Sequence, residues 1–230
     1  MKQRKEKGST EDRFTAAKHS KTFLRLSHSF RLGSKRALDV GCGYGEHLDC
    51  FGDGSLGIIT TKSEVDYATN RGLKVVLGNA EKINGLSLPK EFQVIWANNI
   101  FEHLLSPHAF LLKVKMMARE DATLILGVPV VPFPSSLMKV KKFGGAVVSN
   151  HINFFNGYTL VQTVMRAGWE IHEIRSFVFT SRIVDKMFGI IAPHVYVIAK
   201  NNNSFKYPSK KVAEWAEEAY YREFLNITHQ

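Results

Sequence analysis

The stretch RALDVGCGYGEHL, Arg36 to Leu48, places glycines at positions 41, 43 and 45 directly after a short apolar run. A run of that length bounded by turn residues reads as a buried strand. Gly41, Gly43 and Gly45 let the chain turn tightly and let a ligand lie on the backbone where a side chain would collide with it. In an open parallel sheet, ligands bind beyond the carboxyl ends of the strands, so a first strand, a glycine turn and a following helix mark the place to look for a site. A dinucleotide fingerprint would have its third glycine where this chain has Glu46. A carboxylate there would face a pyrophosphate, so GxGxG with Asp39 two residues ahead better suits an amino acid joined to a nucleoside.

Outward from this turn, strand-length apolar runs alternate with helical periodicity. The runs are ALDV, SLGII, KVVL, FQVIWA, TLILGV, WEIHEI and VYVIA. The alternation predicts an α/β fold with a largely parallel sheet of about seven strands. Thr61 with Glu64 three residues on reads as a capping box, and Gly72 as the stop of that helix. Ser106-Pro107 and Asn156 read as two further helix starts, the latter helix ending at Gly168. Phe14, Ala17, Phe23 and Phe30 predict one leading amphipathic helix over 11–30. Val212, Trp215, Ala216, Ala219 and Tyr220 predict another in the C-terminal segment 201–230. Between them, Val128 to Asn150 holds three prolines, then Lys139, Lys141 and Lys142, then Gly144-Gly145. It reads as a long loop or lid.

The 230 residues allow one sizeable domain, and 44% hydrophobic with 23% charged residues is an ordinary globular composition. The formal net charge of +10 is uneven, since residues 1–36 hold eleven Lys/Arg against three acids. The basicity thus belongs to an N-terminal arm, read as residues 1–35, which either attracts an anionic partner or is a solvated leader. No apolar stretch follows the basic start and no segment has the ~18 apolar residues of a membrane span. The expectation is a cytoplasmic protein. Cys42 and Cys50 are too few for a disulfide framework or a four-cysteine zinc site, and read as reduced and structural. The nine histidines show no HExxH-like spacing, so no metal site is read from the sequence.

LDVGCGYG resembles the first motif of class I S-adenosylmethionine (SAM)-dependent methyltransferases. GNAEKI, FQVIWANNIFEHL and HINFFNGYTLVQTVMRAGWEI are similar to that family's third-strand, fourth-strand and post-fifth-strand segments. The resemblance covers about Arg36 to Lys200 and implies a Rossmann-like, doubly wound sheet, mostly parallel with the last strand antiparallel. It implies SAM as methyl donor and S-adenosylhomocysteine as product. It also implies cofactor contacts from Asp39, Gly41, Cys42, Gly43, Gly45, Asn79, Ala80 and Asn98. Asp39 would help hold the ammonium group, and Asn79 would accept from the adenine amine where the family has an aspartate.

The chain departs from the pattern at the end of its second strand. The usual ribose-binding acid is replaced by Ile59, and Thr60 is the substitute hydroxyl. A similar Thr-type strand end occurs in the cyclopropane-fatty-acid-synthase-like branch of the fold. There a Phe-Glu-His run contributes acceptor-side residues, which implies the same for Glu102 and His103. His103 has an unperturbed pKa of about 6.5, suited to a general base, and His151 is the competing base. A nucleic-acid base-amine enzyme would carry Asn/Asp-Pro-Pro-Tyr where this chain has NNIF, so nucleic acid is disfavoured as partner. The expected acceptor is a small molecule, a lipid-linked intermediate or a sugar, held under the 128–150 lid. A non-catalytic SAM-fold binding module and an RNA methyltransferase are the alternatives.

Overall fold

The computed structural model describes residues 9–217. Its centre is a seven-stranded sheet of β1 (Ala37–Val40), β2 (Leu56–Ile59), β3 (Val75–Leu77), β4 (Phe92–Asn98), β5 (Ala118–Pro129), β6 (Trp169–Arg175) and β7 (His194–Asn201). The order is β3-β2-β1-β4-β5-β7-β6, with β7 antiparallel to both neighbours and the other pairings parallel. All seven apolar runs became strands; the central ones, β1, β4, β5 and β7, bury branched side chains, while the edge strands β3 and β6 are only partly buried. The chain winds outward from β1 to β3 and then returns to β4 beside β1. This brings the ends of β1 and β4 together at the switch point of the sheet.

Helices α3 (Lys62–Asn70), α4 (Pro107–Lys115), α5 (Gly157–Arg166) and α6 (Arg182–Phe188) lie along the sheet. Asn156 caps α5 in a reciprocal box with Thr159, and Gly168 follows with φ +78°. The expected box at α3 does not form. Thr61 makes no side-chain cap bond, and the Glu64 amide that its hydroxyl would have capped donates to its backbone carbonyl, as does that of Val65. Ser106 likewise makes no side-chain cap bond, and its own amide donates to Glu81 at 2.8 Å.

The glycine turn is followed by only a single 3-10 turn, Leu48–Cys50, where a helix was expected. The chain must reach β2 at Leu56 through Gly52 and Gly54, which leaves no length for a helix. The leading helix is two helices, α1 (Thr10–His19) and α2 (Lys21–Phe30). Ser20 breaks it, its extended backbone (ψ 117°) leaving its side chain to accept from Phe23 and cap α2.

These two helices pack on the domain. Phe23 and Leu26 join a buried cluster with Trp96, and Phe23 lies edge-on to the indole at 5.6 Å. Their charges meet internal partners: Arg13 pairs with Glu46 at 2.5 Å, Lys18 with Asp49 at 2.8 Å and Glu11 with Arg71 at 2.6 Å. At the other end, α7 (Ser209–Glu217) places Trp215 on Tyr207 at 4.7 Å. The predicted Ala219 and Tyr220 contacts lie outside the described residues, as do residues 1–8 of the arm. Among the described residues no helix is long and apolar enough to cross a membrane.

Candidate functional site

Gly41 and Gly43 adopt φ +75° and +57°, a region costly for residues with a Cβ. A Cβ on Gly41 would stand 2.8 Å from Ile100 Cδ1, so the turn after β1 is pressed against the segment after β4. Both glycines line a cleft of about 400 Å³, together with Ile59, Thr60, Asn79 and Ala80. The predicted Gly45 and Cys42 contribute differently. The open face of Gly45 is filled by Leu73, whose Cδ1 is 2.4 Å from where a Cβ would lie. The Cys42 thiol points at Gly57 in a buried cluster with Leu48, Ile59 and Ala68, and burial pushes its pKa up.

Asp39, the third residue of β1, is 2% exposed and its Oδ2 has no hydrogen-bond partner. Burial holds its carboxyl well above the usual carboxylate range, and the Glu46 charge adds to this. An unpartnered buried carboxylate beneath a glycine cradle fits the ammonium group of an amino-acid cofactor. At the far end of the cleft, Asn79 Oδ1 accepts from the Glu81 amide at 2.8 Å. Its carbonyl keeps a second lone pair for a ligand amine.

Ile59 is 2% exposed and packed inward, while Thr60 is exposed on the cleft. Glu64 lines the same cleft from the first turn of α3. Sequence reading had assigned this carboxylate to a cap, and its helical offset from Thr60 was the only signal of another use. Asn98 is not among the residues lining the cleft. Its Oδ1 is buried without a partner and leans over Gly127, and the next residue, Asn99 at φ +54°, takes the lining position.

Across the cleft the fold assembles Glu102, His103 and His151. Glu102 and His103 form a 3-10 turn after β4, and His103 lines the cleft. His151 arrives from the far end of the loop because the amides of Ile152 and Asn153 both donate to the Glu102 carbonyl at 3.0 Å. The imidazole Nε2 atoms of His103 and His151 lie 3.9 and 3.8 Å from Glu102 Oε1. Glu102 is 1% exposed, and burial raises its pKa against the lowering pull of the two rings.

The lid differs from its expected extent, since Val128 and Pro129 form the buried end of β5 and Val130, also buried, bridges to Phe155. Beyond it the loop makes two 3-10 turns, Ser135–Lys139 and Gly144–Val147. Lys139, Lys141 and Lys142 are exposed and line neither cavity described here. A second cavity of about 700 Å³, with Val131, Phe133, Tyr158, Val161 and Ile190 in its walls, lies between the loop's root, α5 and the end of α6.

Residues 10–174 match a family described as a methyltransferase domain. No sequence relative among curated proteins matches the chain. Among solved structures, a SAM-dependent methyltransferase of Thermotoga maritima, described as a possible histamine N-methyltransferase, is 19% identical with a TM-score of 0.57. It aligns over 84% of this chain and 94% of its own. A SAM-dependent methyltransferase from Archaeoglobus fulgidus, also 19% identical, aligns over 84% of this chain and all of its own, with a TM-score of 0.56. The [4+2]-cyclase SpnF has the same fold at 15% identity and a TM-score of 0.59, covering 79% of this chain and 79% of its own. The chain belongs to the methyltransferase-domain family and has the class I SAM-dependent methyltransferase fold.

Proposed function

From that membership, we propose that the chain moves a methyl group from SAM to an oxygen, nitrogen or carbon atom of a small molecule, a lipid-linked intermediate or a sugar. The observation that carries this reading is that Gly41, Gly43 and His103 line one cleft. SAM, when bound, supplies an electrophilic methyl group on a sulfonium; the protein's task is alignment and charge. Asp39 holds the ammonium group, Gly41 and Gly43 carry the amino-acid portion on bare backbone, and Thr60 and Glu64 take the ribose. Asn79 and Ala80 receive the adenine. Glu102, His103 and His151 face the acceptor and promote loss of its proton.

The largely apolar second cavity supports an acceptor with an apolar portion. The segment from His151 to Asn156 runs between the two spaces, His151 in the cluster and Asn156 in the cavity wall. Calorimetric titration of the full chain with SAM and, separately, with NAD tests the reading. Saturable binding of SAM without binding of NAD is the expected result, followed by formation of S-adenosylhomocysteine when cell extract is supplied. Binding of NAD in preference to SAM would overturn the proposal.

A further inference from the structure

We propose that Glu102, His103 and His151 bind one divalent transition-metal cation, which holds an oxygen atom of the methyl acceptor in the cleft. The proposal rests on the methyl-transfer reading above for its acceptor, and on geometry alone for its cation. One ligand atom from each residue lies within 4.8 Å of the others. Each imidazole is turned by its other nitrogen: His103 Nδ1 bonds the Asn150 carbonyl at 2.9 Å and His151 Nδ1 the Ala146 carbonyl at 3.2 Å. A carbonyl only accepts, so Nδ1 carries the hydrogen, and in the neutral ring Nε2 presents a lone pair.

Both Nε2 atoms face Glu102 Oε1. The companion oxygen, Glu102 Oε2, is buried without a hydrogen-bond partner. Two lone pairs and a carboxylate thus converge, and among the described residues no hydrogen-bond donor is shared by the three. One cation satisfies all of them at once. Metal–nitrogen bonds of about 2.1 Å put ligand atoms about 3.0 to 3.4 Å apart, so the two imidazole–Glu102 separations need to contract by less than about 1 Å and no pair by more than about 1.8 Å. Two imidazoles with one carboxylate suit manganese, iron, cobalt or zinc better than magnesium or calcium, which prefer all-oxygen sites.

Three protein ligands leave coordination positions open, and His103 gives them access to the cleft. An acceptor hydroxyl bound there loses its proton to water at lower pH than when free, because the cation stabilises the oxyanion. The oxygen–carbon bond then forms as the carbon–sulfur bond breaks. The electron pair stays on sulfur, which becomes a neutral thioether, and the cation keeps its oxidation state.

The test uses full-length protein without a histidine tag, stripped with chelator and then titrated with Co²⁺, read by visible absorption, and with Mn²⁺, read by electron paramagnetic resonance. One equivalent should bind with visible cobalt bands, and bound Mn²⁺ should enhance water-proton relaxation through its open positions. Glu102→Gln, His103→Ala and His151→Ala should each weaken binding at least tenfold while circular dichroism is unchanged. His103→Asn, at a partly exposed position, serves if a variant fails to fold. Absence of saturable binding in the parent protein, or variants that bind like the parent, would overturn the site. SAM affinity is measured on the same samples: SAM binding without metal sinks this inference alone, and metal binding without SAM sinks the methyl-transfer reading.

Discussion

On the side of the cleft proposed for the cofactor the lining comes mainly from strand ends and turns along one run of chain, Gly41 to Ala80, whereas the side proposed for the acceptor joins Glu102 and His103 to a histidine delivered by a distant loop. The first side works by what is missing from it, since bare glycines make room. The second works by polar side chains whose positions depend on tertiary hydrogen bonds. A mutation on one side should therefore leave the other side's measurable quantity nearly intact.

The largest expected effect lies on the acceptor side. Once an acceptor is known, His103→Ala should reduce turnover by roughly two to four orders of magnitude while SAM affinity stays within about a few-fold. Full activity in this variant, with activity lost in His151→Ala, would shift the acceptor-side role to the loop.

Next, Gly43→Val should weaken SAM binding by at least about a hundredfold in calorimetry. The added side chain occupies the ligand's space, and a branched residue at φ +57° adds strain of about 1 to 3 kcal/mol. A folded Gly43→Val protein with parental affinity would remove the glycine turn from the site.

Asp39→Asn should have opposite effects on binding and stability. Loss of a charge-assisted contact should cost roughly tenfold in SAM affinity. The ligand-free protein should become more stable at pH 7, with the sign set by linkage. A carboxyl whose folded pKa is raised destabilises the fold as pH climbs from the usual carboxylate range through the raised value. Asparagine removes that loss, and the two proteins should converge near pH 4 in urea melts. Lower stability of the variant at pH 7 would mean that Asp39 is already paired without cofactor.

The smallest expected change is Glu64→Gln, which should weaken SAM about three- to tenfold if one ribose contact weakens. Ile59→Asp, the change that the family pattern suggests, should destabilise instead. Its side chain is buried beside Leu48 and Ala68, where a carboxylate has no partner.

The strands were legible because each combines an apolar run with a turn signal, as in ALDV before Gly41. Glu64 was misread because Thr-x-x-Glu fits a cap locally, and only the folded chain shows no side-chain cap at Thr61 and Glu64 in the wall of the cleft. The two-helix lead was missed because apolar residues spread along 11–30 were read as one stripe, although Phe14 and Phe23, nine residues apart, fall on opposite faces of a single helix. His103 and His151 were named separately, as rival bases. That their rings share Glu102 was invisible, since the Ile152 and Asn153 bonds to the Glu102 carbonyl are long-range contacts with no periodic trace.

Those same bonds make the loop a cassette. Val131 donates to the Phe155 carbonyl at 2.7 Å at its entrance, and the Glu102 carbonyl clamps its exit. The 132–145 interval between these staples should therefore tolerate changes of length and composition without moving the ends. Loops transplanted from relatives into the 132–145 interval, which spares the Ala146 carbonyl and His151, should retune acceptor choice while SAM affinity and the melting temperature change little.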